Sequence, residues 1–181
     1  VLVWFHLVGS HKRRGRQDRV EQASRRVPRF GDRTPGAPLG YPRSRMGTRI
    51  AIVEDNTQYR AGLSALLSAE PDFEVSVEYG EAPPAIAAVA RGERWDLIVM
   101  DLGLPEVSGI EAIAQIKAIA PQMPIVAFTV FEEPDRIVDA ICAGADGYLL
   151  KRTSADELVA QLRAVVAGGS TLTPGVARTV L

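Results

Sequence analysis

Residues 95–120 read WDLIVMDLGLPEVSGIEAIAQIKAIA: an apolar run, a turn and an amphipathic stretch follow one another directly. The run Trp95–Met100 is nearly all apolar, as a strand covered on both faces of a sheet must be. Isoleucine recurs at every third position between Gly109 and Ala120, which is the spacing of one helical face. The stretch is therefore predicted to be one strand–loop–helix unit of a parallel sheet.

The same unit repeats on either side of this stretch, five times in all. The predicted strands are Ile50–Val53, Phe73–Tyr79, Trp95–Met100, Ile125–Thr129 and Gly147–Leu150. The predicted helices are Thr57–Ala69, Ala85–Arg91, Gly109–Ala120, Pro134–Ala143 and Ala155–Ala167. Right-handed crossovers between such units give a doubly wound α/β sheet with helices on both faces, and ligands gather at the carboxyl ends of its strands.

Charge divides the chain near residue 45. Residues 1–45 hold 11 Lys and Arg against 3 acidic residues, whereas residues 46–181 hold 10 against 19. The negative body disfavours direct contact with nucleic acid and favours binding of a metal cation.

The basic segment 1–45 has little apolar periodicity, so we expect it to be disordered. It is either a nucleic-acid-binding arm or, as we prefer, an artificial extension or misplaced start that precedes a natural beginning at Met46. The apolar run Val1–Val8 is too short to span a bilayer and lacks the order of a secretory signal, so we expect neither membrane insertion nor export. The single cysteine, Cys142, fits a cytoplasmic location.

Polar side chains follow the predicted strands where these end. Glu54 and Asp55 follow the first strand, Asp101 the third and Lys151 the fifth, and Thr129 closes the fourth. Because parallel strands present their carboxyl ends at one edge of a sheet, we expect all five side chains to converge there. Carboxylate oxygens suit Mg²⁺, and an Asp carboxylate can attack phosphorus. The hydroxyl and the ammonium could then hold a phosphoryl group.

Each of these residues also has an ordinary structural interpretation. Asp55 could belong to a helix cap, Asp101 could open a turn, Thr129 could bond nearby backbone, and Lys151 could be a solvated charge. Their joint placement at one edge favours the chemical interpretation.

Four pieces of the sequence together resemble the receiver domain of two-component response regulators. They are IAIVED at residues 50–55, DLGLP at residues 101–105 with Gly109, AFT at residues 127–129, and GADGYLLK at residues 144–151. The resemblance implies a flavodoxin-like five-stranded parallel sheet of order 2-1-3-4-5. It also implies a signalling switch that is not a metabolic enzyme and has at most autophosphorylation and autodephosphorylation activity.

The resemblance assigns roles to the residues at the sheet edge. Asp101 would accept a phosphoryl group from a sensor histidine kinase or a small acyl-phosphate donor. Mg²⁺ would be held by Asp55, Asp101 and the backbone carbonyl of Gly103, with Glu54 acting through a metal-bound water. Thr129 and Lys151 would hold the phosphoryl group.

Tyr148 occupies the position of an aromatic residue that follows the Thr129 hydroxyl inward when receivers are phosphorylated. The resemblance therefore assigns a switching role to both residues, although Tyr148 could also be a half-buried strand aromatic with no such role. One departure concerns Arg152, which stands where many receivers have a proline. We expect a trans peptide bond there and a somewhat different loop.

Two enzyme or ligand-binding classes compete with this interpretation. An aspartate-nucleophile phosphatase needs a second Asp two residues after the nucleophile, where this chain has Gly103. A nucleotide-binding protein needs a glycine-rich phosphate loop, and no such motif follows the first strand. Both alternatives are disfavoured.

The domain organisation predicted from these features is a receiver over residues 46–168 and the start of a linker over residues 169–181. The sequence around Tyr148 and after Gly168 resembles that of regulators whose receiver precedes a LuxR-type helix-turn-helix. Thirteen residues are too few for such a module, so DNA binding would need a missing C-terminal domain. We expect a receiver fragment of a transcription factor or, alternatively, a stand-alone receiver that acts on a protein partner. Phosphorylation would promote a homodimer.

Overall fold

The computed structural model describes residues 47–172, where five helices alternate with six strands. The strands are β1 (Thr48–Val53), β2 (Phe73–Tyr79), β3 (Leu97–Met100), β4 (Ile125–Thr129), β5 (Gly147–Leu150) and β6 (Thr171–Leu172). The helices are α1 (Thr57–Ser68), α2 (Ala82–Ala90), α3 (Gly109–Ile119), α4 (Pro134–Cys142) and α5 (Ala155–Val166). The predictions made for residues 1–45 and for the last nine residues lie outside the described residues.

The strands form one parallel sheet in the order β2-β1-β3-β4-β5-β6. The predicted five-stranded order 2-1-3-4-5 is thereby confirmed, and β6 extends the sheet at the β5 edge. Gly168, with φ +89°, follows the end of α5, and the chain then pairs Thr171 with Gly147. A strand of two residues leaves no periodic pattern, which is why the sequence did not indicate it.

Two apolar cores lie on opposite faces of the sheet, because successive strand residues point to opposite sides. On β1, Ala51 and Val53 belong to one core while Ile50 and Ile52 belong to the other, and all four are fully buried. This double burial explains the uninterrupted apolar runs of the strands. Each fully buried Val or Ile side chain contributes about 1.5–3 kcal/mol.

The first turn of α2 differs from the prediction, because the helix begins at Ala82 instead of Ala85. Pro83 and Pro84 lie in that turn, where backbone N–H groups have no partner within the helix and proline costs little. The bond between Lys151 and Arg152 is trans, as predicted. Between residues 47 and 172, no helix has the length and apolar character needed to cross a membrane.

Candidate functional site

Three acidic residues meet where β1 and β3 end. The two strands run parallel with Val53 beside Met100, so Glu54 and Asp55 leave the sheet next to Asp101. One carboxylate oxygen from each acid lies within 4.8 Å of the other two. Glu54 and Asp101 are buried, and Asp55 is exposed.

The cap of α1 is made by Asn56. Its Oδ1 atom accepts hydrogen bonds from the backbone N–H groups of Gln58 at 3.0 Å and Tyr59 at 3.1 Å. The alternative interpretation of Asp55 as a capping residue is therefore wrong. Its carboxylate lies with the other two acids instead.

Lys151 joins the acidic cluster from the end of β5. Its Nζ atom lies 2.7 Å from Oε2 of Glu54 and 2.9 Å from Oδ2 of Asp101. The same atom lies 4.5 Å from the ring centroid of Tyr59, a cation–π contact that the sequence did not indicate. The Lys151 side chain is only 6% exposed, so the interpretation as a solvated charge is wrong.

The charged groups of this cluster are poorly solvated, and this shifts the pKa values of Glu54 and Lys151. Burial raises the pKa of Glu54, although the hydrogen bond from Lys151 partly opposes the shift. Burial by itself lowers the pKa of Lys151, but the hydrogen bonds to Glu54 and Asp101 outweigh it and the net shift is upward. Lys151 is thus held as an ammonium ion, ready to compensate negative charge at this edge.

Thr129 and Tyr148 lie on the neighbouring strands β4 and β5, and both are fully buried. Within the described part of the chain, Oγ1 of Thr129 has no hydrogen-bond partner. Buried hydroxyl groups seldom lack a hydrogen-bond partner. The Thr129 hydroxyl is therefore able to donate a hydrogen bond to a ligand. The hydroxyl of Tyr148 donates to the backbone carbonyl of Phe131 at 3.0 Å, and burial raises its pKa to about 12.

Gly103 lies in the loop that follows Asp101. Its backbone N–H donates to Oδ1 of Asp101 at 3.2 Å, which fixes the carboxylate on the side away from Lys151. A Cβ at this position would lie 3.4 Å from the ring of Phe131 and 3.6 Å from Oδ2 of Asp101. The Phe131 ring and the Asp101 carboxylate therefore both lie beside Gly103, an arrangement that the sequence did not indicate.

The donor set of the cluster suits a hard divalent cation. It offers carboxylate oxygens only, close enough to share one ion, and the exposed Asp55 leaves one side open to solvent. Mg²⁺ prefers this arrangement, since it binds few protein carboxylates and keeps several waters.

Comparison with known proteins agrees with this geometry. The family model described as "Response regulator receiver domain" matches residues 50–163. The transcriptional regulatory protein UhpA of Salmonella typhimurium is 34% identical over 128 residues, which cover 71% of this chain and 63% of UhpA. The response regulator protein VraR of Staphylococcus aureus is 37% identical over 131 residues, covering 72% of this chain and 62% of VraR. The chain therefore spans less than two thirds of the length of these relatives.

Solved structures give the same result. A two-component response regulator of the LuxR family from Aurantimonas sp. SI85-9A1 is 31% identical, with a TM-score of 0.70 over 74% of this chain and 95% of that one. The isolated receiver domain of RcsB from Salmonella enterica serovar Typhimurium, at 20% identity and a TM-score of 0.67, shares the fold; the alignment covers 75% of this chain and 99% of that one. The similarities also decide against the aspartate-nucleophile phosphatase. This chain belongs to the response regulator receiver domain family, and its similar members include a response regulator of the LuxR family.

Proposed function

We propose that the domain is a phosphorylation-driven signalling switch and that Asp101 is its phospho-acceptor. One observation carries the proposal: the buried carboxylate of Asp101 has an ammonium group 2.9 Å from one oxygen and two further acids within 4.8 Å. A carboxylate in this environment can act as a nucleophile towards phosphorus. The nearby ammonium group would compensate the negative charge of the phosphoryl group.

The transfer itself is a single displacement at phosphorus. A bond forms between phosphorus and a carboxylate oxygen of Asp101, while the bond from phosphorus to the donor breaks and the donor keeps its electron pair. The donor is a phosphohistidine of a sensor histidine kinase or a small acyl phosphate. Lys151 and the free hydroxyl of Thr129 then hold the equatorial phosphoryl oxygens. This role requires no catalytic activity beyond self-phosphorylation from acyl phosphates and slow self-dephosphorylation.

The residues that would hold Mg²⁺ are Asp55, Asp101 and the backbone carbonyl of Gly103, with Glu54 contributing through a water. When bound, Mg²⁺ supplies positive charge to the phosphoryl oxygens. The burial of Glu54 and Asp101 supports this assignment, because two buried carboxylates are costly unless a cation compensates them. Lys151 also contacts both of them.

The switch proposed here links Thr129 to Tyr148. A hydrogen bond from the Thr129 hydroxyl to the phosphoryl group would satisfy a buried group that otherwise has no partner in residues 47–172. Movement of this side chain changes the space beside β5, where Tyr148 now donates to the carbonyl of Phe131. Phosphorylation would thereby bias a two-state element that reaches the β4–α4 loop.

The output proposed for the whole protein is control of transcription. UhpA is named a transcriptional regulatory protein, and the similar Aurantimonas structure is a LuxR-family regulator. DNA would be contacted through a C-terminal output domain outside these residues, and phosphorylation would favour a homodimer. A cytoplasmic location, expected from the lone Cys142, stays a prediction.

The proposal is tested by incubating the full chain with Mg²⁺ and acetyl phosphate and measuring its intact mass. We expect the mass of one phosphoryl group to be added to the wild type, and the addition to disappear when Mg²⁺ is chelated. Asp101→Asn should abolish it. Asp96→Asn is the matched control, since Asp96 is an exposed acid at the opposite end of the same strand region and bonds the backbone of Arg49. Equal modification of Asp101→Asn would overturn the proposal.

A further inference from the structure

Arg60 occupies a position that local helix preferences do not explain. It lies in the first turn of α1, which contains no acidic residue. The N-terminal end of a helix carries partial positive charge, so a cation there is unfavourable. Its side chain is nevertheless only 21% exposed and therefore does not simply extend into solvent. A residue that breaks a local rule in this way points to a role in function.

The guanidinium group of Arg60 reaches back to the strand end that carries two of the three acids. Nη1 donates to the backbone carbonyl of Glu54, and it lies 3.4 Å from the backbone carbonyl of Asp55. Both carbonyls lie beyond the last residue of β1, although the backbone N–H of Glu54 still donates to the carbonyl of Tyr79 on β2 at 3.0 Å. Hydrogen bonds from a charged donor are roughly twice as strong as neutral ones, so they can hold this segment in place.

The other side of the guanidinium is fixed by β2. Nε lies 3.8 Å from Oε2 of Glu78, whose Oε1 accepts a hydrogen bond from Ser64 at 2.6 Å. A Cβ at Gly80 would lie 3.5 Å from Nη1, so the group lies close against the backbone there. Arg60 thus ties α1, the end of β1 and β2 together at one point.

We propose that Arg60 is a positioning residue of the divalent-cation site. By fixing the backbone of Glu54 and Asp55, it keeps their carboxylates within 4.8 Å of the carboxylate of Asp101. The inference rests on the proposed function, since it assigns the acidic cluster to a divalent cation.

The sign of the effect separates positioning from simple electrostatics. Removing a positive charge near three carboxylates should tighten cation binding if charge alone matters. Removing a group that orients the ligands should weaken it, and such outer partners are typically worth roughly 10-fold or more in metal affinity. The two explanations therefore predict opposite changes.

The experiment is a calorimetric titration of the full chain with MgCl₂, without any phosphoryl donor. We expect Arg60→Gln to raise the Mg²⁺ dissociation constant by about 10-fold. Arg60→Lys, which keeps the charge but loses the planar fork, should give a smaller increase. Arg152→Gln is the matched control: it removes a positive charge next to Lys151, but Arg152 bonds only Glu132 among the described residues, so binding should stay equal or tighten.

Unchanged or tighter binding by Arg60→Gln, in a protein with the wild-type circular dichroism spectrum, would overturn the inference. If Arg60→Gln does not fold, an Mg²⁺ affinity of Arg60→Lys equal to that of the wild type would overturn the inference instead. If the wild type binds no Mg²⁺, the proposed function fails together with the inference. If the wild type binds Mg²⁺ and accepts a phosphoryl group while the Arg60 variants match it, only the inference fails.

Discussion

Gly109 packs directly against the backbone of Asp101: a Cβ at Gly109 would lie 2.0 Å from the Asp101 carbonyl oxygen and 2.7 Å from Cα of Leu102. The backbone N–H of Gly109 also donates to the carbonyl of Leu102 at 3.2 Å. Helix α3 therefore begins against the turn that carries Asp101, with no room for a side chain at Gly109. The glycine is required by close approach of the two backbones.

Gly109→Ala should destabilise the domain and displace Asp101, because the overlap involves backbone atoms that cannot rotate away. We expect the free energy of unfolding to fall by about 1–3 kcal/mol, the usual cost of overpacking, and phosphorylation by acetyl phosphate to slow. Urea unfolding followed by circular dichroism measures the first effect.

Gly62→Ala is the control for this substitution. Gly62 is exposed within α1, and a Cβ there would contact nothing within 4 Å. Alanine should therefore raise the unfolding free energy by about 0.5–1 kcal/mol. Similar stabilities for the two variants would show that the α3 backbone does not approach Asp101 as closely as described.

Thr129→Val should separate stability from phosphoryl binding. The buried hydroxyl of Thr129 has no partner among residues 47–172, and replacing such a group by an apolar one of the same shape is neutral or stabilising. We therefore expect unfolding free energy equal to or above that of the wild type, together with a lower level of phosphorylation. Thr129→Ser should restore phosphorylation. A marked loss of stability in Thr129→Val would mean that the hydroxyl already has a partner.

Lys151→Gln should make the domain depend on a divalent cation. Removing the ammonium leaves the buried carboxylates of Glu54 and Asp101 facing each other, and breaking a buried pair in this way costs about 3–5 kcal/mol. We expect MgCl₂ to recover part of this loss in urea unfolding. Lys117→Gln, which breaks the partly exposed pair with Asp146, should cost about 1 kcal/mol or less and show no such recovery.

Tyr148 should make stability fall at alkaline pH. Its pKa is raised from 10.0 to about 12 in the folded protein, so its stabilising contribution is complete below pH 10. It is lost as the pH rises from 10 towards 12, since the unfolded chain releases the proton first. Unfolding midpoints of the wild type and Tyr148→Phe should therefore converge over this range. A gap that stays constant with pH would contradict burial of the hydroxyl.

The sequence was sufficient to predict those features that depend on strand order and strand ends. Asp55, Asp101 and Lys151 converge because parallel strands bring their carboxyl ends to one edge, and apolar runs reveal where the strands end. The contact of Arg60 with the end of β1 depends on the path of one long side chain between elements. No periodicity reports such a path, so the sequence could not indicate it.

Chemical mapping of the phosphorylated residue identifies the acceptor itself. After incubation with Mg²⁺ and acetyl phosphate, borohydride reduction converts an aspartyl phosphate to homoserine, and peptide mass spectrometry locates the change. We expect homoserine at residue 101 and at no other position. Homoserine at residue 55, a reduced side chain at Glu54, or no reduced residue in a protein that has gained a phosphoryl group would contradict it.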